Sequence, residues 1–254
     1  MATPALTSWL AFYKRKPQAT LQLFCFPYAG GSALIYRNWA ERLPPAVELC
    51  LVQLPGRGSR IHESPFKQMQ PLVEAAARGL SAFLEKPFAF FGHSMGAVIS
   101  FELARLLRRE HAVEPIHLFI SGRTAPHLPD AEAPTYALPE EEFLANLRKL
   151  EGTPREVLEN PELMKFMQPL LRADFETTQT YIYRAEPPLN CPISVFGGLK
   201  DPNTGLEVLE AWRQHTTGTF SAHMFPGNHF FINTESQTIL QVIAQKLSQH
   251  ELNL

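Results

Sequence analysis

Short apolar runs alternate along this chain with longer stretches in which apolar positions recur every three or four residues. The runs are TLQLFCF (20–26), VELCLVQL (47–54), PFAFFG (87–92), IHLFISG (116–122), PISVFGG (192–198) and GTFSAHMF (218–225). Each is rich in β-branched, aromatic or leucine side chains and ends near Gly or Pro, as strands do. Their apolarity is continuous rather than alternating, which suits strands covered on both faces. Between them, 66–84 places Leu72, Ala76, Leu80 and Phe83 on one helical stripe. Residues 95–109 put Val98, Phe101, Leu103 and Leu106 in a long helix, and 205–214 and 235–249 complete the set. This order of strands and helices predicts an α/β fold with a mainly parallel sheet.

One stretch breaks the rhythm. From about Arg123 to Asn190 no strand is expected, but EEEFLANLRKL carries Phe143, Leu147 and Leu150 at helical spacing. A second pattern, from Pro161, carries Leu163, Met167, Leu170 and Leu171. The segment is far longer than an ordinary connection. It reads as a helical insertion of about 123–190 within one domain spanning 1–254. Either it completes the core or it forms a lid over a site at the sheet edge.

At 254 residues with 45% hydrophobic positions, the chain is long enough for one large core. A net charge of −2 exerts no global pull on nucleic acid or anionic lipid. The clusters Lys14-Arg15-Lys16 and Arg108-Arg109 read as solvated surface, and Arg108 and Arg109 also suit a helix C-terminus. Cys25, Cys50 and Cys191 are widely spaced; they read as reduced, buried thiols without metal-ligand spacing. No apolar stretch approaches the roughly 18 residues of a membrane span, and MATPALTSWLAFYKRK lacks the features of a signal peptide. A soluble, cytoplasmic protein is expected.

The chemistry centres on Gly92-His93-Ser94-Met95-Gly96, which lies between an apolar strand and a helix. Gly-x-Ser-x-Gly in that setting is a nucleophile elbow. The glycines allow a sharp turn, and the serine hydroxyl projects at a helix N-terminus, where negative charge is stabilised. A serine needs a base and an orienting acid, in the chain order Ser, acid, His. The aspartates are Asp130, Asp174 and Asp201. Asp201 follows a strand within four residues, where open α/β sheets place their sites. Asp130, in a Pro-rich loop, is its rival. Asp174 reads as a surface residue in mid-helix, as does Glu207 nearer the site. His229, in the loop after the last strand, is the expected base. His93 reads as packing or loop support, and His223 as a strand-face residue. His62 precedes the serine, and His111, His117, His127, His215 and His250 have no matching context. The oxyanion donors are expected to be the N–H of Met95 and one from FPYAGGSA (26–33), either Ala29 or its alternative Tyr28.

Five motifs in order, FPYAGGSA, LPGRGSR, FFGHSMGA, GGLKDP and GNHFF, resemble the type II thioesterases, stand-alone α/β-hydrolases that accompany nonribosomal peptide and polyketide synthases. The resemblance covers nearly the whole chain. It implies an α/β-hydrolase fold with a lid, a triad of Ser94, Asp201 and His229, and oxyanion donors Met95 and Ala29. It also implies hydrolysis of acyl thioesters from the phosphopantetheine arm of carrier proteins, with no metal or cofactor. Asn228 departs from the pattern, since Gly or Asp is commoner before the histidine. A carboxylesterase or lipase, a medium-chain fatty acyl-carrier hydrolase and a non-catalytic binding protein are the competing expectations.

Overall fold

The computed structural model describes residues 9–11, 16–129, 133–152 and 155–251. Its strands are β1 (Leu10–Ala11), β2 (Leu21–Phe26), β3 (Val47–Val52), β4 (Phe88–His93), β5 (His117–Ser121), β6 (Ile193–Gly198) and β7 (Phe220–Phe225). Its helices are α1 (Met69–Leu80), α2 (Met95–His111), α3 (Glu140–Leu150), α4 (Arg155–Leu158), α5 (Pro161–Gln179), α6 (Leu206–Glu210), α7 (Phe231–Thr234) and α8 (Ser236–Glu251). The strands form one sheet in the order β1-β3-β2-β4-β5-β6-β7, parallel throughout except for β1, which runs antiparallel to β3. This is the α/β-hydrolase arrangement.

Every residue of β2 through β6 is buried, which is why the sequence shows unbroken apolar runs there. Successive side chains point to opposite faces. Phe24, Phe26, Cys50, Val52, Phe90 and Val195 therefore meet α1 and α2 on one side. Leu23, Cys25, Leu51, Phe91, Phe119 and Phe196 meet α8 and the 3₁₀ turn Ala33–Trp39 on the other. Edge strand β7 is only half-buried. Cys25 and Cys50 thus lie on neighbouring strands but opposite faces. All three cysteines are free and buried, and burial raises the thiols of Cys25 and Cys191, the latter to about 12.

The long connection between β5 and β6 holds α3, α4 and α5. Phe143, Leu147, Met164 and Leu171 form a small core of their own. Leu163, expected on the inward stripe, is instead 44% exposed. Asn160 caps α5, its Oδ1 accepting from Glu162 and Leu163 N–H, and in that first turn Met164 takes the inward position. Pro169 interrupts α5 and removes one helical donor. Arg108 and Arg109 are not merely solvated: both bond Glu186, at 3.2 and 2.9 Å, and Arg108 also bonds the Pro188 carbonyl. They pin the exit of the connection to the end of α2. Lys14 and Arg15 lie outside the described residues. Among the described residues no helix is long and apolar enough to cross a membrane.

Candidate active site

From Phe88 to Phe101 every residue is buried except Ser94. It occupies the single-residue junction between β4 and α2, with φ 55° and ψ −113°. A positive φ in a non-glycine residue is strained, and such strain clusters at functional sites. The flanking glycines explain how the turn is possible. A Cβ at Gly92 would sit 2.1 Å from the Gly96 carbonyl oxygen, and one at Gly96 would sit 2.2 Å from that of Phe26. Ser94 N–H donates to the Ser121 carbonyl at 2.8 Å, tying the elbow to the end of β5.

The loops after β6 and β7 converge beside it. Lys200 N–H bonds the Gly227 carbonyl, and Gly198 packs so closely on Asn228 that a Cβ would meet its carbonyl oxygen at 2.4 Å. This contact brings His229 Nδ1 to 2.7 Å from Asp201 Oδ2. Asp201 also accepts from Asn203 N–H and from the Thr204 hydroxyl, at 3.0 and 2.8 Å. Burial pushes its carboxyl pKa up, but the bonds and charge of His229 and those two donors outweigh it. The net result lies below the ordinary value. An ionised Asp201 accepts a hydrogen bond from Nδ1–H, which keeps the proton on that nitrogen and leaves Nε2 of His229 with its lone pair. His93 packs against it, its ring 5.0 Å from that of His229 and tilted by 51°, and its Nδ1 meets the Ser121 hydroxyl at 2.9 Å. Burial first, then His229, hold the His93 pKa well below the usual range, so it is neutral support.

Ser94, Asp201, His229, Ala29 and Tyr28 line one cavity of about 540 Å³. Leu147 and Leu150 of α3, and Leu171 and Phe175 of α5, form an apolar wall. The Met95 side chain is buried in the core, so what it offers the site is its N–H at the first turn of α2. In the 28–31 loop, Gly31 N–H donates to the Tyr28 carbonyl and Gly30 N–H to Asp174. Ala29 N–H makes no hydrogen bond to the described residues. Among the described residues no three His, Cys, Asp or Glu side chains gather as metal ligands.

Asp174 corrects the sequence reading. It is 3% exposed, not a surface residue. Its carboxylate receives both Arg57 Nη atoms, at 2.6 and 2.7 Å, and Gly30 N–H at 2.7 Å. Arg57 of LPGRGSR has no part in the sequence expectations; its place between two glycines after an apolar strand is the signal that points to it. Asp130, the rival acid, lies outside the described residues. Asn228, the departure from the expected pattern, donates to Glu151 Oε2 at 2.6 Å, joining the histidine loop to the end of α3.

A family model for the thioesterase domain matches residues 21–247. The gramicidin S biosynthesis protein GrsT of Aneurinibacillus migulanus is 43% identical over 242 residues, 95% of this chain and 94% of that protein. The thioesterase RedJ of the prodiginine pathway in Streptomyces coelicolor superimposes with a TM-score of 0.86 at 40% identity, covering 91% of this chain and 92% of that one. BorB, the type II thioesterase of the borrelidin cluster, gives 0.86 at 37% identity, covering 94% and 97%. A serine at a strained elbow, a histidine–aspartate pair beside it and likeness along nearly the whole chain agree, and the protein belongs to the thioesterase domain family.

Proposed function

We propose that this protein hydrolyses acyl thioesters on the phosphopantetheine arms of carrier domains, clearing misloaded or stalled units in nonribosomal peptide or polyketide synthesis. It works in the cytoplasm beside the synthase. His229 removes the proton from Ser94, and the alkoxide attacks the thioester carbonyl. The N–H groups of Met95 and Ala29 stabilise the tetrahedral oxyanion, and α2 directs the positive end of its dipole at the same place. The pantetheine thiol leaves with the proton that His229 returns. Water, deprotonated by His229, then releases the acid from the acyl-serine. No metal or cofactor enters any step.

The observation that carries this reading is the shared cavity. Ser94 of the elbow and the Asp201–His229 pair line it, and the insertion adds leucine and phenylalanine side chains suited to an acyl chain. Its volume falls within the roughly 300–1,000 Å³ of ordinary ligand pockets. The test is hydrolysis of carrier proteins loaded with acyl groups from acetyl to decanoyl, beside matched oxygen esters. Thioester turnover that exceeds oxygen-ester turnover and vanishes in Ser94→Ala supports the reading. A preference for oxygen esters would instead make the protein a carboxylesterase.

A further inference from the structure

We propose that Arg57 and Asp174 are positioning residues that hold the oxyanion donor in place and couple it to the helix lining the acyl cavity. The proposal rests on the thioesterase reading above. The ion pair is sealed from solvent, with side chains 5% and 4% exposed. Burying two charges is costly, and such a pair is by itself weak evidence for stability. What distinguishes it is where its remaining bonds go. Asp174 Oδ2 accepts Gly30 N–H at 2.7 Å, and Arg57 Nη1 lies 3.4 Å from the Gly31 carbonyl oxygen. Both charges therefore grip the two residues that follow Ala29.

Residues 28–31 form a turn closed by Gly31 N–H on the Tyr28 carbonyl, with Gly30 at φ +76°. A positive φ at the third position marks a type II turn, which differs from type I by a flip of the middle peptide. That middle peptide joins Ala29 to Gly30. Asp174 captures its N–H and so selects one of the two orientations; the flipped one would aim the Ala29 carbonyl at a carboxylate. Arg57 holds Asp174 by a bidentate pair, the more directional form of ion pairing. It is itself fixed by the Pro55 carbonyl at 3.2 Å, while Gln53 bonds both the Arg57 carbonyl and Ala33 N–H.

Asp174 also rides on the helix that faces the acyl chain. Leu171, one turn before it, lines the cavity and packs so closely on Gly30 that a Cβ there would meet Cδ2 at 2.5 Å. Phe175 and Thr178 line the same cavity. One turn of α5 thus touches substrate space and fixes the oxyanion loop, so a displacement of that turn displaces the loop.

The test compares wild type, Asp174→Asn and Arg57→Lys in the full chain. Turnover of a decanoyl-pantetheine thioester is normalised to active sites titrated with a fluorophosphonate. Affinity is measured for two analogues of the same length. One is a trifluoromethyl ketone, to which Ser94 adds to give a tetrahedral oxyanion; the other is an unreactive thioether that reports ground-state binding. Asp174→Asn is expected to lower kcat by about 10- to 100-fold, less than deleting a donor outright. Ketone affinity should fall by a similar factor and thioether affinity by less than about twofold, the signature of an interaction made in the transition state. Arg57→Lys, which keeps the charge but not the fork, should show the same parallel with smaller losses. It carries the comparison alone if Asp174→Asn does not fold. Turnover per titrated site equal to wild type, or thioether and ketone affinities falling together, overturns the proposal. A wild type that neither hydrolyses the thioester nor binds the ketone overturns the thioesterase reading instead.

Discussion

His229 and Asp201 meet at 2.7 Å with the carboxylate sealed and the imidazole partly open, side chains 1% and 23% exposed respectively. An amide in place of that carboxylate keeps the shape but favours the wrong imidazole tautomer. Asp201→Asn is expected to fold normally and lower turnover by roughly 10⁴-fold. Steady-state kinetics on both variants decides the assignment of the acid: Asp130→Asn should leave turnover unchanged, and a reversal would move the acid to the earlier loop.

The elbow leaves no room at Gly96. A Cβ there would lie 2.2 Å from the Phe26 carbonyl oxygen and 2.8 Å from that of Pro27, both backbone atoms that cannot swing aside. Gly96→Ala is expected to cost about 3 kcal/mol of stability through forced backbone shifts. Gly205 has nothing within 4 Å of the same position. Gly205→Ala should change stability by less than about 0.5 kcal/mol, as surface substitutions that meet no neighbour do, and its φ of −61° suits alanine. Urea midpoints at constant m-value separate the two.

Acid should weaken the fold through a buried histidine far from the cavity. Burial, with the charges of His250 and Lys246 adding to it, lowers His117 to about 3. An unfolded histidine titrates near about 6.5. Between these values the unfolded chain holds a proton that the folded chain refuses. Stability is therefore complete above the upper value and declines as pH falls toward the lower, by up to about 1.4 kcal/mol per pH unit. His117→Gln, which can still reach the Ser194 hydroxyl that His117 bonds at 2.9 Å, should lose about 2 kcal/mol less than wild type between pH 7 and pH 5. Urea titrations at the two pH values measure the difference, and equal losses would contradict the burial argument.

The insertion should open in part, not as a whole. Its far end is pinned by Asp174 on Arg57 and by Thr177 on the Phe66 carbonyl, and its exit by Arg108 and Arg109 on Glu186. Its near part rests on the small core around Phe143 and on the Asn228–Glu151 bond, with Pro169 between the two parts. Amides of 140–152 and 155–168 are expected to exchange faster than those of 170–179, and to slow when an acyl-carrier analogue is bound. Asn228→Ala should speed exchange at 140–152 specifically. Sheet-like protection throughout, indifferent to ligand, would show that the helices merely complete the core.

The parallel strands were legible because burial on both faces leaves an unbroken apolar run. β1 was not: two residues, Leu10 and Ala11, paired with Val52 and Leu51, are too few to carry a period. Ser94 was legible as an elbow residue through glycines whose positions the backbone demands, while Asp201 and His229 were expected from their places just after strands, and the fold brings them to one cavity. Asp174 was misread for a physical reason. In a helix an aspartate is ordinarily solvated, and the arginine that makes its burial tolerable lies 117 residues away in sequence. Leu163 failed oppositely, since apolar spacing alone could not tell it from Met164 as the inward member of the first turn.

The three cysteines give the reaction a chemical quietness. A thioesterase of this kind liberates a free sulfhydryl at every turnover, and a nearby reactive thiol could capture the acyl group or join the arm in a mixed disulfide. Here Cys25 and Cys50 face away from each other across the sheet, and all three are enclosed. Raised pKa values keep Cys25 and Cys191 as inert thiols rather than thiolates. No exposed thiolate of the enzyme's own then stands ready to take the acyl group or to trap the liberated thiol in a mixed disulfide.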